Sequence, residues 1–187
     1  MKTIKLLLVS FLVVCVSTTN VVASQESDKN SVIDQAYPQA QAEVLETFAA
    51  IGGVIVAGAG HGYGSEYMDQ LISFHAYGDK FVEFNGGLAF DSAGNEHNER
   101  QLFGEDLEVD GVIQFAAKEG SLNVAVYFGN VANVTFISDF ILMHKDYGEI
   151  RVENLITLLF VKTKGEWKLV HEHHSPVAVP VTVAVSE

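Results

Sequence analysis

His171, His173 and His174 fall within four residues of one another, directly after an apolar run that carries the only tryptophan, Trp167. Imidazole titrates near ~6.5 when unperturbed, so such a cluster can act as base, proton donor or metal ligand at neutral pH. Two histidines one residue apart on a strand bind a metal when a third ligand converges on them. After Ser175, however, the chain runs on through Pro176, Val177 and Ala178, and no acid occurs until Glu187. A metal-free, histidine-lined pocket or interface is therefore expected, with no metal and no cofactor. On a regular strand, Trp167, Leu169, His171, His173 and Ser175 share one face, and Lys168, Val170, Glu172 and His174 share the other. The first face runs from apolar to imidazole, as a strand does when it leaves a core and enters a polar pocket. His171 and His173 are accordingly expected as proton carriers, with His174 and Trp167 as ligand contacts.

Other residues could share that chemistry. Asp139 interrupts an apolar strand; it is either a buried general base, whose pKa burial would raise, or an acid at an edge or dimer contact. Arg151 and Glu153 lie on one face of the expected penultimate strand, where they either clamp a polar ligand or form a solvated cross-strand ion pair. His75, Tyr77 and Asp79 close the second expected helix, where His75 could contact a ligand. Glu83 alternates with Val82 and Phe84 on a strand, either at a cavity mouth, where a carboxylate suits proton abstraction, or facing solvent. Tyr63 and His61 sit in the glycine-rich stretch Gly58–Gly64, which could form a lid. That stretch lacks a Gly-Lys-Ser/Thr ending and is no phosphate loop. His97, Glu99 and Arg100 lie in a polar run and read as solvated.

Ala36, Ala40, Val44, Phe48 and Ile51 recur at spacings of three or four and predict a helix over about 34–57, with Pro38 in its first turn and Gly52-Gly53 as a possible early end. Ser65 reads as the N-cap of a second helix, about 65–77. Phe81 to Phe84 and Leu88 to Phe90 form a strand pair around the turn Asn85-Gly86-Gly87. Residues 91–100 read as a loop and 105–118 as a short helix. Strands follow over about 121–128, 131–144, 149–163 and 166–175. Helices first and a meander of strands last define an α+β domain. Both faces of 131–144 are apolar, which predicts helices on one side and a second subunit on the other.

The N-terminus has the pattern of a secretory signal. Lys2 and Lys5 precede the apolar stretch Leu6–Val16, and Val21-Val22-Ala23 offers small residues before a cut at Ser24. Residues 24–33 are a polar leader, 34–178 the domain, and 179–187 a tail. Cleavage would remove the single cysteine, Cys15, and leave 9 basic against 24 acidic residues, a net charge of −15. Such acidity argues against nucleic acid or anionic membrane as partners and fits an exported, periplasmic or extracellular protein.

The terminal strand Gly165-Glu166-Trp167-Lys168-Leu169-Val170-His171-Glu172-His173-His174-Ser175 resembles the closing strand of SnoaL-like proteins of the nuclear transport factor 2-like superfamily. It is also similar to the association domain of calcium/calmodulin-dependent kinases. The resemblance covers the meander, about 121–176, and matches 34–118 in element order. It implies a cone: a strongly curved antiparallel sheet wrapped around the N-terminal helices. The kinase domains line their pocket with several arginines, whereas only Arg100 and Arg151 occur here. The fold hosts binding modules as well as enzymes. Two expectations follow: an exported module holding a small hydrophobic or weakly polar molecule, or an acid–base isomerase, cyclase or dehydratase acting on a hydrophobic ketone-like substrate. Assembly through the sheet face, as a homodimer, is compatible with either.

Overall fold

The computed structural model describes residues 37–177; the expected signal (1–23), leader (24–33) and tail (179–187) lie outside the described residues. Helix α1 (Pro38–Gly58) begins at Pro38, whose missing N–H would have had no partner in the first turn. Val44, Ile51, Val54 and Ile55 form its buried stripe. Gly52-Gly53 does not end it. A Cβ on Gly52 would come within 3.1 Å of the Phe115 ring, so the small residue lets the helix lie directly on the sheet. Helix α2 (Glu66–Ser73) starts at Ser65, whose Oγ accepts the Met68 N–H at 3.3 Å. It packs against the end of α1 at Gly58, where a Cβ would lie 2.5 Å from that of Tyr67.

Between residues 91 and 118 three expectations are corrected. The polar run is helix α3 (Ser92–Glu99), started by Asp91, whose carboxylate accepts the Gly94 N–H at 2.9 Å. It continues as a π-helical segment, Arg100–Asp106. Arg100 is buried, not solvated, because three acceptors neutralise it: Asp69 at 2.9 Å, Glu96 at 2.9 Å and the Tyr63 carbonyl at 3.1 Å. The helix expected at 105–118 is strand β3 (Leu107–Ala117). Its pairing slips twice between Leu107 and Gln114, around Asp110 with φ 62°. The slips break the two-residue alternation, and the remaining apolar spacing mimics a helix.

Strands β1 (Val82–Asn85) and β2 (Leu88–Phe90) form the expected hairpin, and β4 (Asn123–Tyr127) and β5 (Val131–His144) the next. The strand expected over 149–163 is two, β6 (Gly148–Val152) and β7 (Asn154–Thr163). Buried Ser138 staples the bend between them, accepting the Asn154 N–H at 2.7 Å and donating to the Val152 carbonyl at 3.1 Å. β8 (Glu166–Pro176) pairs antiparallel with β7 and parallel with β1. The order is β2-β1-β8-β7-β5-β3, with β4 and β6 also on β5. The sheet is thus mixed rather than wholly antiparallel, and it is curled without closing. Its inner face (Val134 and Phe136 on β5, Ile156, Leu158 and Phe160 on β7, Trp167 and Leu169 on β8) packs on the stripe of α1. Each such side chain contributes about 1.5–3 kcal/mol by burial.

Candidate functional site

Val170 decides which histidines see the interior. Across β7 and β8, Phe160 pairs with Leu169 and Leu159 with His171, so Val170 is an extra residue, a β-bulge. A one-residue slip exchanges the faces of everything beyond it. Trp167 and Leu169 point inward before the bulge; after it Glu172 and His174 do, while His171 and His173 turn outward. The face read from simple alternation is corrected accordingly. The bulge lies where β8 changes neighbours. Leu169 bonds the segment after α2, its N–H meeting the Phe74 carbonyl at 2.9 Å and its carbonyl the Ala76 N–H at 2.7 Å, and β1 takes over at His171.

Glu172 and His174 enter a cavity of about 60 Å³ between α1 and the curled sheet. Its walls are mainly apolar: Phe48, Ile51 and Ile55 from α1, with Phe136 and Phe140 from β5 and Phe115 from β3. The Phe115 and Phe140 rings stack at 4.1 Å, and Phe48 meets Phe136 edge-on at 5.1 Å. Among the described residues, four titratable side chains reach it: His75, Glu99, Glu172 and His174.

Their arrangement separates charge. Glu172 is buried and accepts from His75 Nε2 at 2.8 Å and from His174 Nε2 at 3.3 Å. Burial pushes its carboxyl up, but the two imidazoles together outweigh this and hold it at about 2. His75 follows α2, and its Nδ1 lies 3.2 Å from the Leu71 carbonyl. Both ring nitrogens thus face acceptors. His174 differs: it gives Nε2–H to Glu172, and its Nδ1 has no hydrogen-bond partner among the described residues. The Glu99 carboxyl has no side-chain hydrogen-bond partner among the described residues. Burial, and then the charges of Glu172 and Glu83, push it well above the usual carboxylate range. One cavity therefore holds an ionised carboxylate–imidazole group and an acid that favours its proton-bearing form.

Amides behind the cavity hold the neighbouring acid in place. Glu83, opposite Glu172 in the β1–β8 register and equally buried, accepts from Asn85 and Asn95 at 2.9 Å each. Asn95, fully buried one turn before Glu99, accepts the Tyr77 hydroxyl, and the Tyr77 ring stacks on His75 at 4.9 Å.

Of the residues expected from sequence, the fold brings His75 and His174 to the cavity and sets Glu83 behind it. The remainder lie elsewhere. His171 bonds the Val82 carbonyl at 2.7 Å on the outer face, and His173 is exposed there beside Phe84. Asp139 is half-buried on the outer face of β5 and accepts from Gln114. The bend after β6 separates Arg151, which pairs with Glu149 at 2.9 Å, from Glu153, which pairs with Lys118 at 3.1 Å. Trp167 is buried outside the cavity and donates to Glu43 at 3.1 Å. Tyr63 bonds His97 at 3.2 Å, and its loop is tied to the π-helical segment through Gly60 and Gly62 at 2.8 Å each, so it is no free lid. Sequence reasoning missed Glu172 as a cavity residue, along with Glu99 and Asn95. The last two stand one helical turn apart in a run capped by Asp91, and that i, i+4 pair of polar residues was the available signal.

A family model described as a SnoaL-like domain matches residues 69–180, more than half of the chain. No curated protein matches the sequence. Among solved structures, the fold is similar to a nuclear transport factor 2-like superfamily protein from Salmonella enterica (15% identity, 80% of this chain and 99% of that one, TM-score 0.59). It is similar also to a putative dehydratase of that family from Streptomyces avermitilis (17% identity, 74% and 96%, TM-score 0.59). A third is a putative calcium/calmodulin-dependent protein kinase II association domain from Xanthomonas campestris (16% identity, 72% and 86%, TM-score 0.53). With the matched β8 carrying both Glu172 and His174, the chain belongs to the SnoaL-like family and has the nuclear transport factor 2-like fold.

Proposed function

We propose that the cavity binds a small, largely apolar ketone or hydroxyketone and moves a proton on it, the chemistry of an isomerase or dehydratase. One observation carries this reading: Glu172, held ionised between two imidazoles, and Glu99, held in its proton-bearing form, line the same apolar cavity. Titratable groups whose surroundings drive their pKa values apart make a base and an acid. Glu172 accepts His174 Nε2–H, and Nδ1, the ring nitrogen with no partner among the described residues, is placed to take a proton from the carbon next to a carbonyl. Glu99 gives its proton to the carbonyl oxygen, forming the enol. Isomerisation follows when His174 returns its proton at another carbon and the enol hydroxyl gives its own back to Glu99. Dehydration of a β-hydroxyketone follows when the enol hydroxyl returns its proton to Glu99 and Glu99 passes it to the departing β-hydroxyl, which leaves as water; His174 then releases the α proton to solvent. His75 keeps its hydrogen bond to Glu172 throughout. The dehydratase title of the Streptomyces neighbour is compatible with this chemistry.

The test is α-proton exchange of small cyclic ketones in D₂O, followed by NMR. The chain is expected to accelerate exchange by about 10²-fold or more over buffer, the usual return of a positioned general base, and H174Q to lose the acceleration. Binding without acceleration would leave a carrier of small molecules. That second reading is favoured by one observation: His75 and Glu172, the most deeply buried polar groups of the cavity, already satisfy one another.

Export through the signal-like N-terminus and dimerisation through the outer sheet face, where Phe84 and Leu155 are about half exposed, belong to the same proposal. A mature N-terminus at Ser24 and the sedimentation mass of a dimer are the corresponding checks.

A further inference from the structure

Glu99 lines a second hollow besides the cavity, an open groove of about 380 Å³. The two therefore share Glu99 as a wall residue. The groove is polar in a particular way. Asn85, Asn98 and Gln101 are amide residues of its lining, and among the described residues no Lys or Arg lines it. Arg100, the nearest basic residue in sequence, is turned away onto Asp69, Glu96 and Tyr63. A phosphate or carboxylate would find no counter-charge there.

Three carboxylates also line the groove, but they do not make it a cation site. Glu83 is saturated by the amides of Asn85 and Asn95. Glu99 favours its neutral form, and Asp106 is partly satisfied by Gln101 Nε2–H at 2.7 Å. What remains is spare hydrogen-bonding capacity of both signs: the Asn98 amide, the oxygens of Asn85 and Gln101, and the second oxygen of Asp106. Phe90 and Leu102 add apolar surface at the same place. Amides and carboxylates that both donate and accept, set beside an aromatic ring, suit vicinal hydroxyls on a ring whose C–H face is apolar.

We propose that the groove binds the polyhydroxylated head, a sugar or cyclic polyol, of the molecule whose apolar part fills the cavity. The inference rests on the cavity being a ligand site, and it makes the ligand amphiphilic and uncharged.

The test is binding of short butyl compounds to the whole chain by saturation-transfer NMR and calorimetry: butyl glucoside, galactoside and mannoside against n-butanol, n-butylamine and butyl phosphate. At least one glycoside is expected to bind about tenfold more tightly than butanol, the return of one or two net hydrogen bonds. The amine and phosphate should not exceed butanol. Asn98→Ala with Gln101→Ala is expected to lower the glycoside to the butanol level while butanol binding stays unchanged, which also shows that the variant folds. Butanol binding as well as every glycoside, or the amine or phosphate binding best, overturns the proposal and leaves the cavity reading standing. If none of the six binds, the cavity reading fails and the groove proposal with it.

Discussion

His173 and His174 are adjacent in the chain and meet different surroundings. His174 lies over an ionised carboxylate inside an apolar cavity, whereas His173 stands in solvent against the edge of a phenyl ring. The residue type is the same, and so is the strand. What separates them is the side of β8 they occupy, set by the extra residue Val170 three positions before His173. The inner face after the bulge concentrates buried charge that must be paired; the outer face carries polar groups that water can serve. Chemistry in this fold is thus assigned by register more than by composition.

The largest effect that would break this contrast is on Glu172. Replacing it by glutamine leaves His75 without its anion and should destabilise the chain by about 3–5 kcal/mol, read from urea unfolding at pH 7. The same series carries a pH signature. In the folded chain Glu172 sits at about 2, against an ordinary value of 4.5. Near pH 4.5 and below, the unfolded chain therefore binds this proton more readily than the folded one. The stabilisation is fully present above 4.5 and fades as pH falls toward 2. E172Q should lack that component of acid destabilisation; an unchanged acid limb would show that Glu172 is not held ionised.

Glu99 should behave in the opposite sense and more weakly. Its folded pKa is raised, so the folded chain keeps a proton that the unfolded chain gives up, and stability falls as pH rises beyond the ordinary carboxylate value. E99Q should therefore be more stable than the parent at pH 8, by about 1 kcal/mol, with the difference vanishing below pH 4.5. A variant less stable at every pH would mean that Glu99 has a partner its surroundings do not suggest. The smallest effect belongs to the outer face. H173A should change stability by no more than about 0.5 kcal/mol and leave ligand binding untouched. A large loss there would move the site to the other side of the sheet.

How much of this was legible follows from what each signal depends on. The stripe of α1, the Ser65 cap and the Asn85-Gly86-Gly87 hairpin depend on local spacing and turn chemistry, and they read correctly. Helix α3 did not, because its inward residues, Asn95 and Glu99, are polar and leave no apolar stripe to detect. β3 was misread because its slips around Asp110 and Gly111 erase the alternation that marks a strand. The histidine face was inverted because a bulge leaves no trace in side-chain types: Val170 suits a bulge and a regular strand equally. Glu83 and Glu172 become neighbours only through a parallel pairing between distant segments, which no local pattern encodes.

That parallel pairing has a kinetic consequence. The bond from His171 to Val82 spans 89 residues, and β8 supplies two of the four titratable side chains in the cavity. Contacts this distant in sequence close late, since the loop entropy of joining them is met before any contact rewards it. During synthesis the helices and the β4–β7 meander can collapse first around an interior that has walls but neither Glu172 nor His174. Among the described strands β8 is the last to be synthesised, so a chain that ends short of it carries the wall residues of a pocket without its chemistry.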